Sequence, residues 1–84
     1  MAVKKYKILI AEDEQNICRF LQAILTANEY DTVVSHSGKE TYSLITSHCP
    51  DLVLLDLGLP DMDGVDIIKS VRVWTQLPIS IGFL

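Results

Sequence analysis

The sequence predicts one α/β domain built on a parallel sheet. Two short apolar runs, at residues 6–11 and 51–56, each end in carboxylates, as buried strands of such a sheet do. Between the runs, apolar residues recur every three or four positions, which is the spacing of an amphipathic helix. Strands that alternate with helices through short connections pair in parallel by right-handed crossovers. A length of 84 residues fits a single small domain.

The first strand and the first helix follow directly from this pattern. Residues 6–11 are rich in Ile and Leu, and the acidic residues 12–14 come next, at the carboxyl end of the predicted strand. A helix is predicted from about residue 14 to residue 27, with an acidic first turn that suits the helix dipole. Its apolar face comprises Ile17, Phe20, Leu21, Ile24 and Leu25.

The second strand and helix have weaker patterns. Residues 30–35 are β-branched after a polar beginning, which predicts a strand nearer the sheet edge. Ser37 and Glu40 match a capping box, in which hydroxyl and carboxylate satisfy free backbone N–H groups reciprocally. The helix that they open should run to about residue 47, with an apolar stripe of Tyr42, Leu44 and Ile45. It should end before Pro50.

The third strand is the most apolar segment and is predicted to be buried on both faces. It covers residues 51–56 and ends at Asp56, before a loop that contains Gly58 and Pro60. A third helix is predicted over about residues 64–73, and a fourth strand begins near residue 77. The predicted fold is a flavodoxin-like three-layer sandwich with sheet order 2-1-3-4, truncated after the fourth strand.

Composition narrows the possible functions. A net charge of −4 with only seven Lys and Arg argues against direct nucleic-acid binding by this segment. No apolar run approaches the length of a membrane span, and no secretory leader is present, so we expect a cytoplasmic protein. Cys18 and Cys49 lack metal or redox spacing and are expected to be reduced and structural.

The predicted topology brings three carboxylates together. If strands one and three are neighbours, Glu12 and Asp13 lie beside Asp56 at the sheet's carboxyl edge. Crowded carboxylates raise one another's pKa unless a cation neutralises them, and Mg²⁺ prefers such oxygen ligands. Asp56 could then attack phosphorus and form an acyl phosphate.

Two blocks, residues 8–14 and 50–64, resemble the receiver domain of two-component response regulators, in particular the OmpR-like subfamily. The resemblance implies that Asp56 accepts a phosphoryl group from a sensor histidine kinase to control a transcriptional response. It also implies a Mg²⁺ site of Asp13, Asp56, the Gly58 backbone carbonyl and, through water, Glu12. Such a protein is not an enzyme beyond weak self-phosphorylation from small donors.

The sequence also departs from that family. A receiver continues with a Ser or Thr at the end of strand four, a helix, a strand ending in Lys-Pro, and a last helix. The hydroxyl position falls at about Phe83, so residues 1–84 are expected to form an incomplete receiver with slow phosphorylation. Uncovered faces on strand four and helix one predict a homodimer or swapped oligomer.

Two other functions remain open. One is a receiver-like interaction or oligomerisation module without a working phosphoryl switch. The other is an Asp-nucleophile phosphohydrolase of the haloacid dehalogenase type, which needs a second Asp where this chain has Gly58.

The roles of five other residues can also be predicted. Asp61 and Asp63 are expected to be solvated turn residues rather than ligands. Neither His36 nor His48 is expected to be a catalytic base, and Trp74 is expected to contribute to packing.

Overall fold

A computed structural model describes residues 5–82, which form alternating strands and helices in the predicted order. The elements are β1 (Lys7–Ala11), α1 (Gln15–Ala27), β2 (Asp31–Ser35), α2 (Gly38–His48), β3 (Leu52–Asp56), α3 (Gly64–Arg72) and β4 (Ile79–Gly82). Phe83, the residue at the expected hydroxyl position, lies outside the described residues. No helix within residues 5–82 is long and apolar enough to cross a bilayer.

The four strands form one parallel sheet in the order β2-β1-β3-β4, which confirms the predicted topology. Ala11 at the end of β1 pairs with Leu55 of β3. Asp56 in turn pairs with Gly82 of β4. The carboxyl ends of β1 and β3, the two inner strands, therefore lie side by side at the carboxyl end of the sheet.

The core lies mainly between the sheet and the helices α2 and α3. Leu9 of β1 and Leu55 of β3 are fully buried there, and they pack with Ile45 of α2 and Ile67 of α3. Helix α1 lies on the opposite face, where Gln22 Nε2 donates to Thr32 Oγ1 of β2 at 3.2 Å. The result is the predicted three-layer arrangement.

Strand β3 is less completely buried than its sequence predicted. Val53 and Leu55 are fully buried on the α2 and α3 side, whereas Leu52 and Leu54 on the other face are only half-buried. A continuous apolar run cannot indicate how far each face is covered. Within residues 5–82, one helix covers that second face.

The apolar faces of two helices also differ from their predicted roles. On α1, Cys18 is buried, while Phe20 and Ile24 are 60% and 43% exposed. The apolar stripe is wider than the line along which one helix contacts a sheet. On α2, Tyr42 is exposed and Thr41 is buried in its place, where its hydroxyl lies 2.5 Å from that of Ser35.

The helix caps show why the chain turns where it does. Ser37 Oγ accepts from Glu40 N at 3.1 Å, as the capping box predicts. The Glu40 carboxylate, however, accepts from His36 N at 2.9 Å rather than from Ser37 N. The reciprocal bond is thus made one residue further back than in a standard box.

Candidate metal centre

Three carboxylates converge where β1 and β3 end side by side. Glu12, Asp13 and Asp56 each offer an oxygen, and these oxygens all lie within 4.8 Å of one another. Glu12 and Asp56 are half-buried, whereas Asp13 is exposed. The sequence predicted this convergence from strand order alone, although some forty residues separate the two acidic segments.

Backbone N–H groups hold two of these side chains in place. Glu12 Oε2 accepts from the backbone nitrogens of Asp13 and Glu14, at 3.0 and 3.3 Å. Asp56 Oδ1 accepts from Gly58 N at 2.9 Å, which folds the start of the following loop back onto the carboxylate. Both acids are therefore oriented before any cation binds.

The surroundings of the site change the pKa of one of these carboxyl groups, that of Glu12. The pKa of Glu12 is raised to about 6, first by partial burial and then by a hydrogen bond and charge repulsion from Asp56. A divalent cation would relieve this repulsion. The donor set is all carboxylate oxygen, which fits a hard ion such as Mg²⁺ and does not fit a soft metal.

This raised pKa predicts a pH-dependent stability. The folded state holds the Glu12 proton more tightly than the unfolded chain, whose value is near 4.5. Protonation of Glu12 therefore stabilises the folded state fully below pH 4.5, and this contribution is lost as pH rises through about 6. Without metal, we expect Glu12 to make the protein about 1 kcal/mol less stable at pH 7.5 than at pH 4.5, since solvent screens part of the shift.

Urea unfolding of wild type and Glu12→Gln, in EDTA at the two pH values, measures this contribution. The difference in stability between the two pH values that is due to Glu12 should be absent from the variant, because glutamine does not titrate. An identical pH dependence in the two proteins would contradict the prediction.

His36 contacts the acidic strand end in a way that sequence reasoning missed. Its Nδ1 lies 3.0 Å from the Glu12 backbone carbonyl, so Nδ1 carries the proton and donates. Cys18 Sγ donates to the same carbonyl at 3.2 Å. His36 thus fixes the backbone behind the carboxylates. No local pattern indicates this contact, since 24 residues separate the partners.

The loop after Asp56 contains the other predicted site residues. Gly58 is exposed, and its role as a carbonyl ligand stays a prediction. Gly64 ends the loop, and its backbone lies so close to Leu57 that a Cβ would fall 2.9 Å from the Leu57 Cα. Only glycine permits that approach without a backbone shift.

Asp61 and Asp63 are more than solvated turn residues. Asp63 is the N-cap of α3, and its carboxylate accepts from Val65 N at 2.9 Å. The Asp61 carboxylate accepts from Gly38 N and Lys39 N at the start of α2, and these bonds lower its pKa. Both residues are exposed in the loop, as predicted, but the sequence did not indicate that Asp61 is bonded to a distant helix. Trp74 packs edge-to-face on Tyr42, with ring centroids 6.3 Å apart.

The family model of the response regulator receiver domain matches residues 8–82. The chain belongs to this family. Among curated relatives, the receiver is 38% identical to the transcriptional regulatory protein KdpE of Mycobacterium tuberculosis, over 86% of this chain and 32% of KdpE. It is 40% identical to the response regulator ArlR of Staphylococcus aureus, over 89% of this chain and 34% of ArlR. It therefore spans about a third of the length of these relatives.

Solved structures show the same fold. The receiver is 36% identical to the BeF3-activated N-terminal receiver domain of Klebsiella pneumoniae RstA, with a TM-score of 0.83 over 87% of this chain and 62% of that one. The receiver domain of the Francisella response regulator 1452 matches with 30% identity and a TM-score of 0.85, over 89% and 63% of the two chains. Receivers are phosphoacceptors rather than enzymes, bind Mg²⁺ through acidic residues and, in OmpR-like regulators, take the phosphoryl group from histidine kinases.

Proposed function

We propose that this receiver accepts a phosphoryl group on Asp56 from a sensor histidine kinase and thereby controls a transcriptional response. The observation that supports this most is the convergence of Glu12, Asp13 and Asp56 within 4.8 Å at the edge of the sheet. Asp56 stands at the end of β3, one of the two inner strands of the sheet, and it is half-buried and oriented by Gly58 N. A carboxylate held in this way can act as a nucleophile.

The proposed reaction forms one bond and breaks one bond at phosphorus. A carboxylate oxygen of Asp56 attacks the phosphoryl group, and the P–N bond to the donor histidine breaks as the acyl phosphate forms. The histidine nitrogen keeps the electron pair of that bond. Mg²⁺ would supply charge neutralisation, held directly by Asp13, Asp56 and the Gly58 carbonyl and through water by Glu12.

We also propose that Asp56 of this chain is phosphorylated slowly. We propose that the chain provides the first four strands and three helices of a receiver, with the acidic part of the phosphorylation site. Residue 83, where the family has a hydroxyl, is Phe. The loss of one donor to a transferred group typically costs about 3 kcal/mol in the barrier. Self-phosphorylation from small donors should therefore be weak.

Mg²⁺ with acetyl phosphate, followed by intact mass analysis, tests the phosphoacceptor role. We expect a slow gain of one phosphoryl group that EDTA prevents. Beryllofluoride gives a second test without a reaction step, because it mimics a phosphoryl group on a carboxylate; amide resonances of residues 12, 13 and 56 should shift. No mass gain and no Mg²⁺-dependent shifts would contradict the proposal.

A second candidate function, self-association without a phosphoryl switch, has its own support. Phe20 and Ile24 are exposed on α1, and Ile81 is 46% exposed on β4, which pairs only with β3 among residues 5–82. An open strand edge and apolar side chains favour association. We propose a homodimer or swapped oligomer formed through these two faces.

Light scattering after size exclusion, over increasing protein concentration, tests that assembly. We expect the mass to approach that of a dimer, and Phe20→Ser to shift the equilibrium toward monomer. A monomer at all concentrations would contradict the proposed assembly and leave the phosphoacceptor role unaffected.

The location and the partners follow from the proposed role. A phosphohistidine donor would meet the receiver in the cytoplasm, where we propose that it acts. We assign no nucleic-acid contact to this segment, because its net charge of −4 would repel phosphates.

A further inference from the structure

One carboxylate joins the loop that follows Asp56 to a different helix. Asp61 lies in the loop of residues 57–63, between β3 and α3. Its Oδ1 accepts from Gly38 N at 2.5 Å, and its Oδ2 accepts from Lys39 N at 3.0 Å. These N–H groups belong to the first turn of α2 and have no partner within that helix. Asp61 thus uses both oxygens to tie the loop to α2.

Apolar packing strengthens the same connection. Met62 lies directly against the Gly38 backbone, where an added Cβ would fall 2.6 Å from the Met62 sulfur. Leu59 of the same loop is buried in the core cluster. The loop is therefore held at its middle by both hydrogen bonds and packing.

Both ends of the loop lie at the candidate metal centre or next to it. At the start, Gly58 N donates to the Asp56 carboxylate at 2.9 Å. At the end, Gly64 N donates to Leu57 O at 3.4 Å. Movement of the middle of the loop would displace Gly58 relative to Asp56, because few residues separate them from Asp61.

We propose that Asp61 is a positioning residue for the candidate metal centre: its bonds to α2 hold Gly58 where the backbone carbonyl can reach a cation. The inference rests on the proposed function of Asp56. Asp61 is not among the residues proposed to hold the cation. A simpler role, in which Asp61 only caps α2, predicts lower stability without a change in cation affinity.

Mg²⁺ titrations of Asp61→Ala, followed by amide chemical shifts, separate the two roles. We expect the variant to bind Mg²⁺ about tenfold more weakly, as is typical when the support of a metal ligand is removed. The Mg²⁺ affinity of Asp61→Asn should lie between those of Asp61→Ala and wild type. Its amide oxygen can still accept one of the two hydrogen bonds, but its NH₂ group is a donor and cannot accept the second.

Two matched variants serve as controls. Ser37→Ala removes the other cap of α2, the bond from Glu40 N, without touching the loop. Asp66→Ala removes an equal charge from the first turn of α3. Both should bind Mg²⁺ within about twofold of wild type, since neither supports a ligand. If Asp61→Ala matched Ser37→Ala in stability and wild type in Mg²⁺ affinity, Asp61 would be a cap only and the inference would be wrong.

A measurement without metal keeps this inference separate from the proposed function. Hydrogen exchange of the Gly58 amide should be about tenfold faster in Asp61→Ala than in wild type or Ser37→Ala, because the two lost bonds hold the loop. Wild-type protein that bound no Mg²⁺ would overturn the proposed function, while faster Gly58 exchange would still support the positioning of the loop. Unchanged Gly58 exchange would overturn the inference in either case.

Discussion

Asp56→Asn is expected to abolish the phosphoryl adduct completely. A carboxamide oxygen is a poor nucleophile toward phosphorus and leaves one charge fewer for a cation. The pKa of Glu12 should also fall from about 6 toward its ordinary value, because Asp56 contributes both a hydrogen bond and charge repulsion to the shift. Intact mass after incubation with acetyl phosphate and Mg²⁺ measures the first effect, and NMR titration of the Glu12 side chain measures the second.

Asp66→Asn is the control for this substitution. It makes the same change of side chain at an exposed site in the first turn of α3, and it should retain the adduct. An adduct of the same mass on Asp56→Asn would show that a different carboxylate accepts the phosphoryl group. Peptide mapping would then locate it, with Glu12 and Asp13 as the first positions to examine.

Leu9→Ala is expected to have the largest effect on stability. Leu9 is fully buried in β1, between the neighbouring strands and the helices of the core. Such a truncation costs about 2–5 kcal/mol, because it removes apolar contacts and leaves a cavity. A small domain has roughly 5 kcal/mol in total, at the lower end of the usual range, so the variant should retain at most about 3 kcal/mol and unfold at a much lower urea concentration than wild type.

Urea unfolding followed by circular dichroism measures this loss. Val73→Ala is the matched truncation of an aliphatic side chain at an exposed position, since Val73 is 86% exposed. It should change the free energy of unfolding by no more than about 0.5 kcal/mol. Equal effects of the two substitutions would mean that the core is not where the structure places it.

The sequence was sufficient for the order of elements and for the sheet. Apolar periodicity distinguishes strand from helix within about ten residues, and short connections leave right-handed parallel pairing as the ordinary solution. That order puts β1 beside β3, so the convergence of Glu12, Asp13 and Asp56 could be predicted as well. These features depend only on residues that are close together in the chain and on general rules of topology.

Degrees of burial were predicted less well. The apolar stripe of α1 correctly indicated a helix, yet Phe20 and Ile24 are exposed. An apolar residue on a stripe has a tendency to be buried, but the neighbouring elements decide whether anything covers it. The same limit explains why β3 is fully buried on one face only.

Sequence alone therefore determined the fold, the order of the sheet and the meeting of three carboxylates at its edge. Only the tertiary structure decided how the surroundings of that edge are fixed, through His36 on the Glu12 carbonyl and Asp61 on the first turn of α2. These bonds join residues more than twenty positions apart, between side chains and backbone groups that carry no periodic pattern. Their partners depend on the distance and angle at which packed elements meet, which the one-dimensional spacing of residues does not specify.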